Sequence, residues 1–329
     1  MKVMMLAAGE GTRLRPHTLK LPKPAIPFLG IPLAYHSLGL FKKLHELELV
    51  VNTYHLPDRI EEVYQRIQSK VKSLHFSHER EQILGSGGGL VAAKKHLQDA
   101  ENFFLINADE VLLTENQHLM EEAYAFHVKN KALSTLLVIE HPEVGSKFGG
   151  VWCSGSQVKG FGKAPVEPNL KGMHFVGIQI LNRRIFDYLP ESGESNILYD
   201  GVTAGIKNGE FVQVFPAQSE WFETGNPQDF LAASRKCLQY LSKNSQHADS
   251  LASTLKTFLD EPYLLIGEEG KKSLVLESSL LSCKNAKTLE SSVIGKNVRI
   301  ERDTVIRNSM IANDQIVLAG ESVLETLLL

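Results

Sequence analysis

Residues 2–6, Lys-Val-Met-Met-Leu, form a short apolar run that stops at Ala7-Ala8-Gly9. A buried strand that feeds a loop reads this way. The same rhythm then repeats. Residues 47–52 read as a second strand. Residues 58–70 place Ile60, Val63, Tyr64 and Ile67 at helical spacing with charges between them, and Asp58 after Pro57 is the expected N-cap. Strands are predicted at 74–77 and 103–107, with a helical stretch at 90–97 between them. A helix from about 117 to 129 leads into a strand at 133–140. This β-α-β alternation argues a mostly parallel, doubly wound α/β sheet. Ligands of such sheets bind beyond the carboxyl ends of the strands. The Gly-rich loop after Leu6 and the acids after Asn107 both lie at such ends.

From about 151 to 215 short strand-like segments broken by Gly and Pro predominate, as in a β-rich wall inserted before a return to the sheet. Residues 227–240 read as a helix with Phe230, Leu231, Ser234 and Leu238 on one side, and residues 243–250 as a polar joint. The tail differs. Ile294, Ile300 and Ile306 follow a six-residue rhythm, and Ile311 opens another stretch 17 residues after Ile294. An apolar lead residue every six positions, three per coil, is the pattern of a left-handed parallel β-helix, here of about three coils. Ordinary antiparallel strands are the alternative. The chain therefore divides into a domain at 1–242, a helical linker at 243–262 and a β-helical tail at 263–329.

Bulk properties narrow the function. A net charge of −3 argues against a dedicated nucleic-acid binder. The 12 histidines are scattered without zinc-ligand spacing. Three widely spaced cysteines, Cys153, Cys237 and Cys283, read as reduced and buried. No apolar run approaches the roughly 18 residues that cross a bilayer, and the first is too short for a signal peptide, so a cytoplasmic enzyme without a membrane partner is expected.

The chemistry is concentrated near the N-terminus, in Leu6-Ala7-Ala8-Gly9-Glu10-Gly11-Thr12-Arg13-Leu14-Arg15-Pro16 and then Pro22-Lys23-Pro24. Gly9 and Gly11 let backbone approach a phosphate and point N–H groups at it. Arg13 and Lys23 add charge. Pro22 and Pro24 are expected to hold Lys23 in an extended segment. The dinucleotide fingerprint fails because Leu14 stands where its third glycine belongs, and the Walker loop fails for want of Gly-Lys-Ser/Thr.

This stretch resembles the L-A-A-G-x-G-T-R-L-x-P…P-K-P motif of the sugar-1-phosphate nucleotidylyltransferases. That family includes the mannose-1-phosphate guanylyltransferases and the N-acetylmuramate-1-phosphate uridylyltransferases. The resemblance covers roughly the first 240 residues. It implies a Rossmann-like, doubly wound mixed sheet of the nucleotide-diphospho-sugar transferase type. It makes Arg13 and Lys23 the groups that stabilise the triphosphate and the departing pyrophosphate. Leu6, Ala8, Gly9, Gly11, Thr12, Gln82, Gly87 and Gly88 become the nucleotide-binding set. The last two belong to Gly85-Ser86-Gly87-Gly88-Gly89, where glycines before a helix would let a flat base lie on bare backbone.

Asn107-Ala108-Asp109-Glu110 resembles the family's N-G-D step, and Trp221-Phe222-Glu223-Thr224-Gly225-Asn226-Pro227 its W-x-D-I-G-T-P. Asp109 and Glu223 are thereby implied to hold Mg²⁺ against phosphate oxygens. Glu223 is one methylene longer than the family's Asp. Phe148-Gly149-Gly150-Val151 resembles Y-G-x-V, which brings Gly149 to the sugar. Phe161-Gly162-Lys163-Ala164-Pro165 resembles F-x-E-K-P without its Glu and with Lys163 one place early. Phe175-Val176-Gly177-Ile178 stands in the place of N-A-G-I-Y without its Asn or Tyr. Gly149, Lys163 and Gly177 are the expected sugar-binding residues.

The expected reaction joins a nucleoside triphosphate, GTP or UTP, to a sugar 1-phosphate with release of pyrophosphate, most closely in the manner of the mannose-1-phosphate guanylyltransferases. The altered sugar segment keeps a second reading open: a catalytically weak or inactive regulatory subunit that senses sugar nucleotides. The end of the tail, with Leu327, Leu328 and Leu329, offers a contact surface for a homo-oligomer.

Overall fold

The computed structural model describes residues 1–243 and 245–329. The chain forms two compact units interleaved in sequence. One comprises Met1–Glu10, Leu40–Ala108 and Asn116–Trp221, the other Gly11–Gly39, Asp109–Glu115 and Phe222–Leu329.

The first unit is built on nine strands. They are β1 Lys2–Leu6, β2 Glu48–Thr53, β3 Ser73–His78, β4 Asn102–Asn107, β5 Ser134–Ile139, β6 Gly150–Ser154, β7 Gln157–Gly162, β8 Lys171–Asn182 and β9 Val212–Pro216. They lie in the order β3-β2-β1-β4-β8-β5-β9-β7-β6. The first four are parallel, as the alternation with helices predicts. The sheet becomes mixed at β8, which runs antiparallel between β4 and β5. The β-rich middle is therefore less separate than expected. Its longest strand enters the centre of the sheet, and residues 183–207 are largely helical.

Successive side chains of a strand point to opposite faces, and each face has its own cover. Met4, Val50, Phe103 and Leu105 share a core with Leu90, Leu97, Phe186, Ile197 and Val202. Phe104 packs on the other side against Phe41 at 5.2 Å and Tyr124 at 5.8 Å between ring centroids. Burying one such ring contributes roughly 1.5–3 kcal/mol.

Three helices flank the strands: α1 Pro57–Gln65, α2 Gly85–Ala92 and α3 Leu119–Asn130. Helix α1 buries Ile60, Val63 and Tyr64 as predicted, but its N-cap is Leu56, not Asp58. Pro57 fits the first helical position because its missing N–H would have no partner there.

In the second unit, α4 Pro227–Leu241 and α5 Gln246–Phe258 pack with the short helix Leu33–Leu38. Phe28 meets Phe230 edge-on at 5.3 Å, and Tyr35 stacks on Phe258 at 4.8 Å. The expected polar joint at 243–250 is mostly the start of α5, capped by the Ser245 hydroxyl on the Ala248 N–H. Of that joint, Asn244 lies outside the described residues.

The tail forms three short sheets: Tyr263–Ile266 pairs antiparallel with Ser273–Leu276, and the strands from Ser273 onward pair in parallel. Val293–Ile294 pairs with Met310–Ile311, which pairs with Leu327–Leu328. Leu289, Ile306 and Val323 pair in a second sheet, and Ile300 with Val317 in a third. Each step advances the chain by 17 residues. Left-handed backbone falls at Ser291, Asn297, Asp303, Asn308, Asp314, Gly320 and Glu325. These positions divide each 17-residue repeat into runs of six, six and five residues, which is why the six-residue rhythm breaks between Ile306 and Ile311. Asn and Asp tolerate this conformation at the corners. Val275, Ile294, Ile300, Ile306, Ile311, Val317 and Val323 fill the interior.

None of the three cysteines is in a disulfide, and all are buried. Among the described residues no helix is long and apolar enough to cross a membrane.

Candidate active site

The cationic part of the motif lies in the second unit. Gly11 adopts φ +61° and opens a 3₁₀ turn, Thr12–Leu14, which leaves Thr12 and Arg13 exposed and buries Leu14. A Cβ on Gly11 would come within 2.9 Å of Thr18 Cγ2, and Thr18 Oγ1 donates to the Gly11 carbonyl at 3.0 Å. The turn therefore requires glycine for conformation and for space. Lys23 is not in an extended segment. It opens a second 3₁₀ turn, Lys23–Ala25, after an extended Pro22.

Each cation meets an acid. Lys23 Nζ donates to Asp109 Oδ2. Arg13 Nη1 lies 3.8 Å from Glu223 Oε1. The backbone at Asp109 is pinned: Thr224 Oγ1 donates to its carbonyl at 3.2 Å, and the Glu110 N–H donates to Ser37 Oγ at 3.1 Å. The longer arm of Glu223 folds back so that Oε1 accepts the Gly225 N–H at 2.7 Å. A Cβ on Gly225 would sit 2.3 Å from that oxygen and 2.5 Å from Arg13 Nη2. Arg13, Lys23, Asp109 and Glu223 are thus brought together as two cation–carboxylate pairs, joined through Thr224.

This donor set fits Mg²⁺. The ion takes one or two carboxylates and completes its shell with phosphate oxygens and water. Asp109 and Glu223 keep side-chain exposures of 28% and 18%. Among the described residues no group of three or more His, Cys, Asp and Glu surrounds a common point, so further ligands would come from phosphates and water.

In the first unit, Leu6 pairs with Asn52 on one side and Asn107 on the other, so three parallel strands end together. The Ala7 N–H donates to Asn52 Oδ1 at 2.8 Å, Asn52 Nδ2 to Glu79 Oε1 at 2.7 Å, and the Leu84 N–H to Glu79 Oε2 at 2.7 Å. Burial raises the Glu79 carboxyl above its ordinary pKa, while the Leu84 and Asn52 bonds oppose the shift. This series of hydrogen bonds ties Ala7 to Leu84, the residue before α2. Sequence reading missed Asn52 and Glu79. A cap-like acid shortly before a glycine run was the available signal.

The glycine run is not a loop before a helix. It is the first two turns of α2, and Gly87, Gly88 and Gly89 are buried. The Gly87 and Gly88 N–H groups donate to the Ser195 carbonyl. A Cβ on Gly88 would lie 2.3 Å from the Gly193 oxygen, and one on Gly89 2.7 Å from Asn52 Nδ2 and Glu79 Oε1. Close packing explains these glycines. At Gly9, in contrast, a Cβ would meet nothing within 4 Å. Gln82 is exposed on the bend before α2, and Ala8 is buried.

The three expected sugar residues separate. A cavity of about 190 Å³ is lined by Gly177, Phe175, Gln179, Asn107 and residues 196–199, with Leu6, Ser86 and Leu105. Gly149 approaches it through Tyr199, whose hydroxyl would be 3.6 Å from a Cβ there. Lys163 does not line it; its ammonium donates to the Ser146 carbonyl at 2.9 Å. Trp221, from the second acidic motif, packs on His174 at 4.4 Å and on Phe148 at 5.6 Å. This anchors the loop that carries Gly149.

A mannose-1-phosphate guanyltransferase of Schizosaccharomyces pombe is 27% identical over 98% of this chain and 95% of its own length. Mannose-1-phosphate guanyltransferase beta-A of Xenopus laevis is also 27% identical, over 98% and 96%. Among solved structures, the inositol-1-phosphate CTP transferase of T. maritima superposes with a TM-score of 0.59 at 16% identity, over 78% of this chain and 97% of that one. A UDP-glucose pyrophosphorylase complexed with UDP-glucose gives 0.56 at 21% identity, over 71% and 97%. At those identities the structural likeness establishes the fold. The sequence matches the nucleotidyl transferase family over residues 2–240, most of its length, and the chain belongs to that family.

Proposed function

We propose that the protein makes GDP-mannose and pyrophosphate from GTP and mannose 1-phosphate. The observation that carries this is the pairing of Arg13 with Glu223 and of Lys23 with Asp109. A phosphoryl-transfer site needs cations for the leaving group and carboxylates for a metal, and both are held in register here. The choice of guanylyl and mannosyl groups rests on relatives named mannose-1-phosphate guanyltransferase, at 27–28% identity over 98% of the chain.

In this reading an oxygen of the sugar phosphate attacks the α-phosphorus of the triphosphate, and pyrophosphate leaves in line. No covalent intermediate is needed. Arg13 and Lys23 exchange their carboxylate partners for phosphate oxygens and stabilise the charge that builds on the leaving group. Asp109 and Glu223 would hold Mg²⁺, which when bound neutralises phosphate charge and orients the α-phosphate. Gly9 and Gly11, with Leu6, Ala8, Thr12 and Gln82, bind the nucleotide. Gly87 and Gly88 act there by letting the start of α2 pack tightly against the chain at Gly193 and Ser195. Gly149 and Gly177 face the sugar.

The parallel strand pairs from Ser273 onward support a left-handed β-helix in the tail at 263–329, joined through 243–262 to a catalytic domain at 1–242. Its end is the proposed contact for a homo-oligomer. The buried cysteines, none of them in a disulfide, support a reducing, cytoplasmic setting.

One observation favours the regulatory alternative: Lys163 is engaged by Ser146 rather than by the cavity. Pyrophosphate release, measured over a matrix of nucleoside triphosphates and sugar 1-phosphates with Mg²⁺, separates the two. Release with GTP and mannose 1-phosphate supports the enzyme. Nucleotide binding without release from any pair supports the sensor.

A further inference from the structure

The cavity beside Gly177 has a definite chemistry. Leu6, Ser86, Leu105, Asn107, Phe175, Gly177, Gln179 and residues 196–199 line it. None of these is Lys, Arg, His, Asp or Glu, so a charged substituent would find no counter-ion. Its volume is about 190 Å³. Pockets for drug-sized ligands run from about 300 to 1,000 Å³, so this one suits a single ring without bulky additions.

Its polar groups have fixed directions. Gln179 is 1% exposed. It follows Gly177, which adopts φ +72°, where the pairing of β8 with β5 slips between Phe175 and Gln179. Such a bulge re-aims the side chains beside it. Ser134 Oγ donates to Gln179 Oε1 at 3.2 Å. That bond fixes the amide and leaves its NH₂ as the end available to a ligand. Asn196 is fixed in the same sense, because Oδ1 accepts the N–H groups of Leu198 at 2.9 Å and Tyr199 at 3.1 Å. Ser86 Oγ accepts the Ile197 N–H at 3.0 Å, which leaves its own hydrogen to donate. The cavity therefore presents donors. Phe175 and Tyr199 supply apolar faces for ring C–H groups.

We infer that Gln179, oriented by Ser134, is a specificity-determining residue for the sugar: its NH₂ donates to a ring hydroxyl, and the site takes a neutral hexose 1-phosphate without an N-acyl or carboxylate substituent. This rests on the nucleotidyltransferase reading. Gln179→Glu preserves shape and the acceptor for Ser134 but removes the donor. Ser134→Ala removes only the bond that orients the amide. A hydrogen bond of this kind is worth about tenfold in affinity.

The test is steady-state pyrophosphate release with mannose 1-phosphate, N-acetylglucosamine 1-phosphate and N-acetylmuramate 1-phosphate. For the wild type, KM is expected to be at least about tenfold lower for the neutral hexose than for the other two. Gln179→Glu should raise KM for mannose 1-phosphate by about tenfold or more, with KM for GTP unchanged. Ser134→Ala should raise it in the same direction by a smaller factor. An unchanged sugar KM in both variants overturns the inference, as does equal wild-type KM for all three sugars. Absence of wild-type release with every sugar and nucleotide defeats the nucleotidyltransferase reading itself, a distinguishable result. If Gln179→Glu does not fold, Ser134→Ala and the wild-type sugar series decide.

Discussion

The Arg13 guanidinium lies 3.8 Å from the Glu223 carboxylate, and both rest against Gly225, where there is no room for a methyl group. The φ of Gly225 is not in the left-handed region; the constraint is space. Gly225→Ala must therefore displace the carboxylate, the guanidinium or both. Misplacement by about 1 Å costs on the order of 10²-fold in rate. We expect kcat/KM to fall by about that factor while the far-ultraviolet circular dichroism is unchanged. Near-normal turnover would mean that the pair has no part in the chemistry.

Lys23 is half of the second pair, with a side chain only 12% exposed. Lys23→Ala removes the cation and leaves Asp109 without it. We expect turnover to drop by about 10²–10³-fold, the scale of losing one preorganised charge-stabilising donor. Activity within a few fold of wild type in a pyrophosphate-release assay would remove Lys23 from the mechanism.

Gly88 packs against backbone. A Cβ there would be 2.3 Å from the Gly193 oxygen, a backbone atom rather than the end of a flexible side chain. Gly88→Ala should destabilise the protein by about 1–3 kcal/mol, read as a lower midpoint in chemical denaturation. A variant of unchanged stability with weakened nucleotide binding alone would show that Gly88 contacts ligand rather than protein.

His174 is buried among His141, Phe148 and Trp221, and neither ring nitrogen has a hydrogen-bond partner among the described residues. Burial, with a smaller effect from His141, lowers its pKa from 6.5 to about 4. The unfolded chain takes a proton as the pH falls through 6.5, but the folded chain does not until about 4. Between those values each pH unit lost costs about 1.4 kcal/mol of stability from this residue. His174→Phe should narrow the stability gap between pH 7.5 and pH 5.0 by about 2 kcal/mol. His36 and His127 are lowered to about 4 as well, so the slope shrinks without vanishing. An unchanged gap would show that His174 titrates normally.

The sequence made some of this legible and hid the rest for physical reasons. Gly11, Arg13 and Lys23 declare themselves because their turns are closed by neighbours a few residues away. The parallel strands declare themselves through the alternation of apolar runs and helices. Asn52 and Glu79 did not, because their bonds to Ala7 and to each other span 45 and 27 residues. The sequence places the glycines of α2 before a helix rather than inside it, since a triple glycine has low helix propensity. What holds them in a helix is the chain at Gly193 and Ser195, about a hundred residues later. The five-residue run in each 17-residue tail repeat was likewise invisible to a strict six-residue period. Lys163 has the residue type expected of a sugar contact, yet its ammonium is taken by Ser146.

The most direct test of the account is a single assay: pyrophosphate release from GTP and mannose 1-phosphate with Mg²⁺, repeated after chelation of the metal. The account predicts release that depends on both substrates, stops with chelator and returns when Mg²⁺ is restored. Nucleotide binding with no release from this or any other pair of nucleoside triphosphate and sugar 1-phosphate would contradict it.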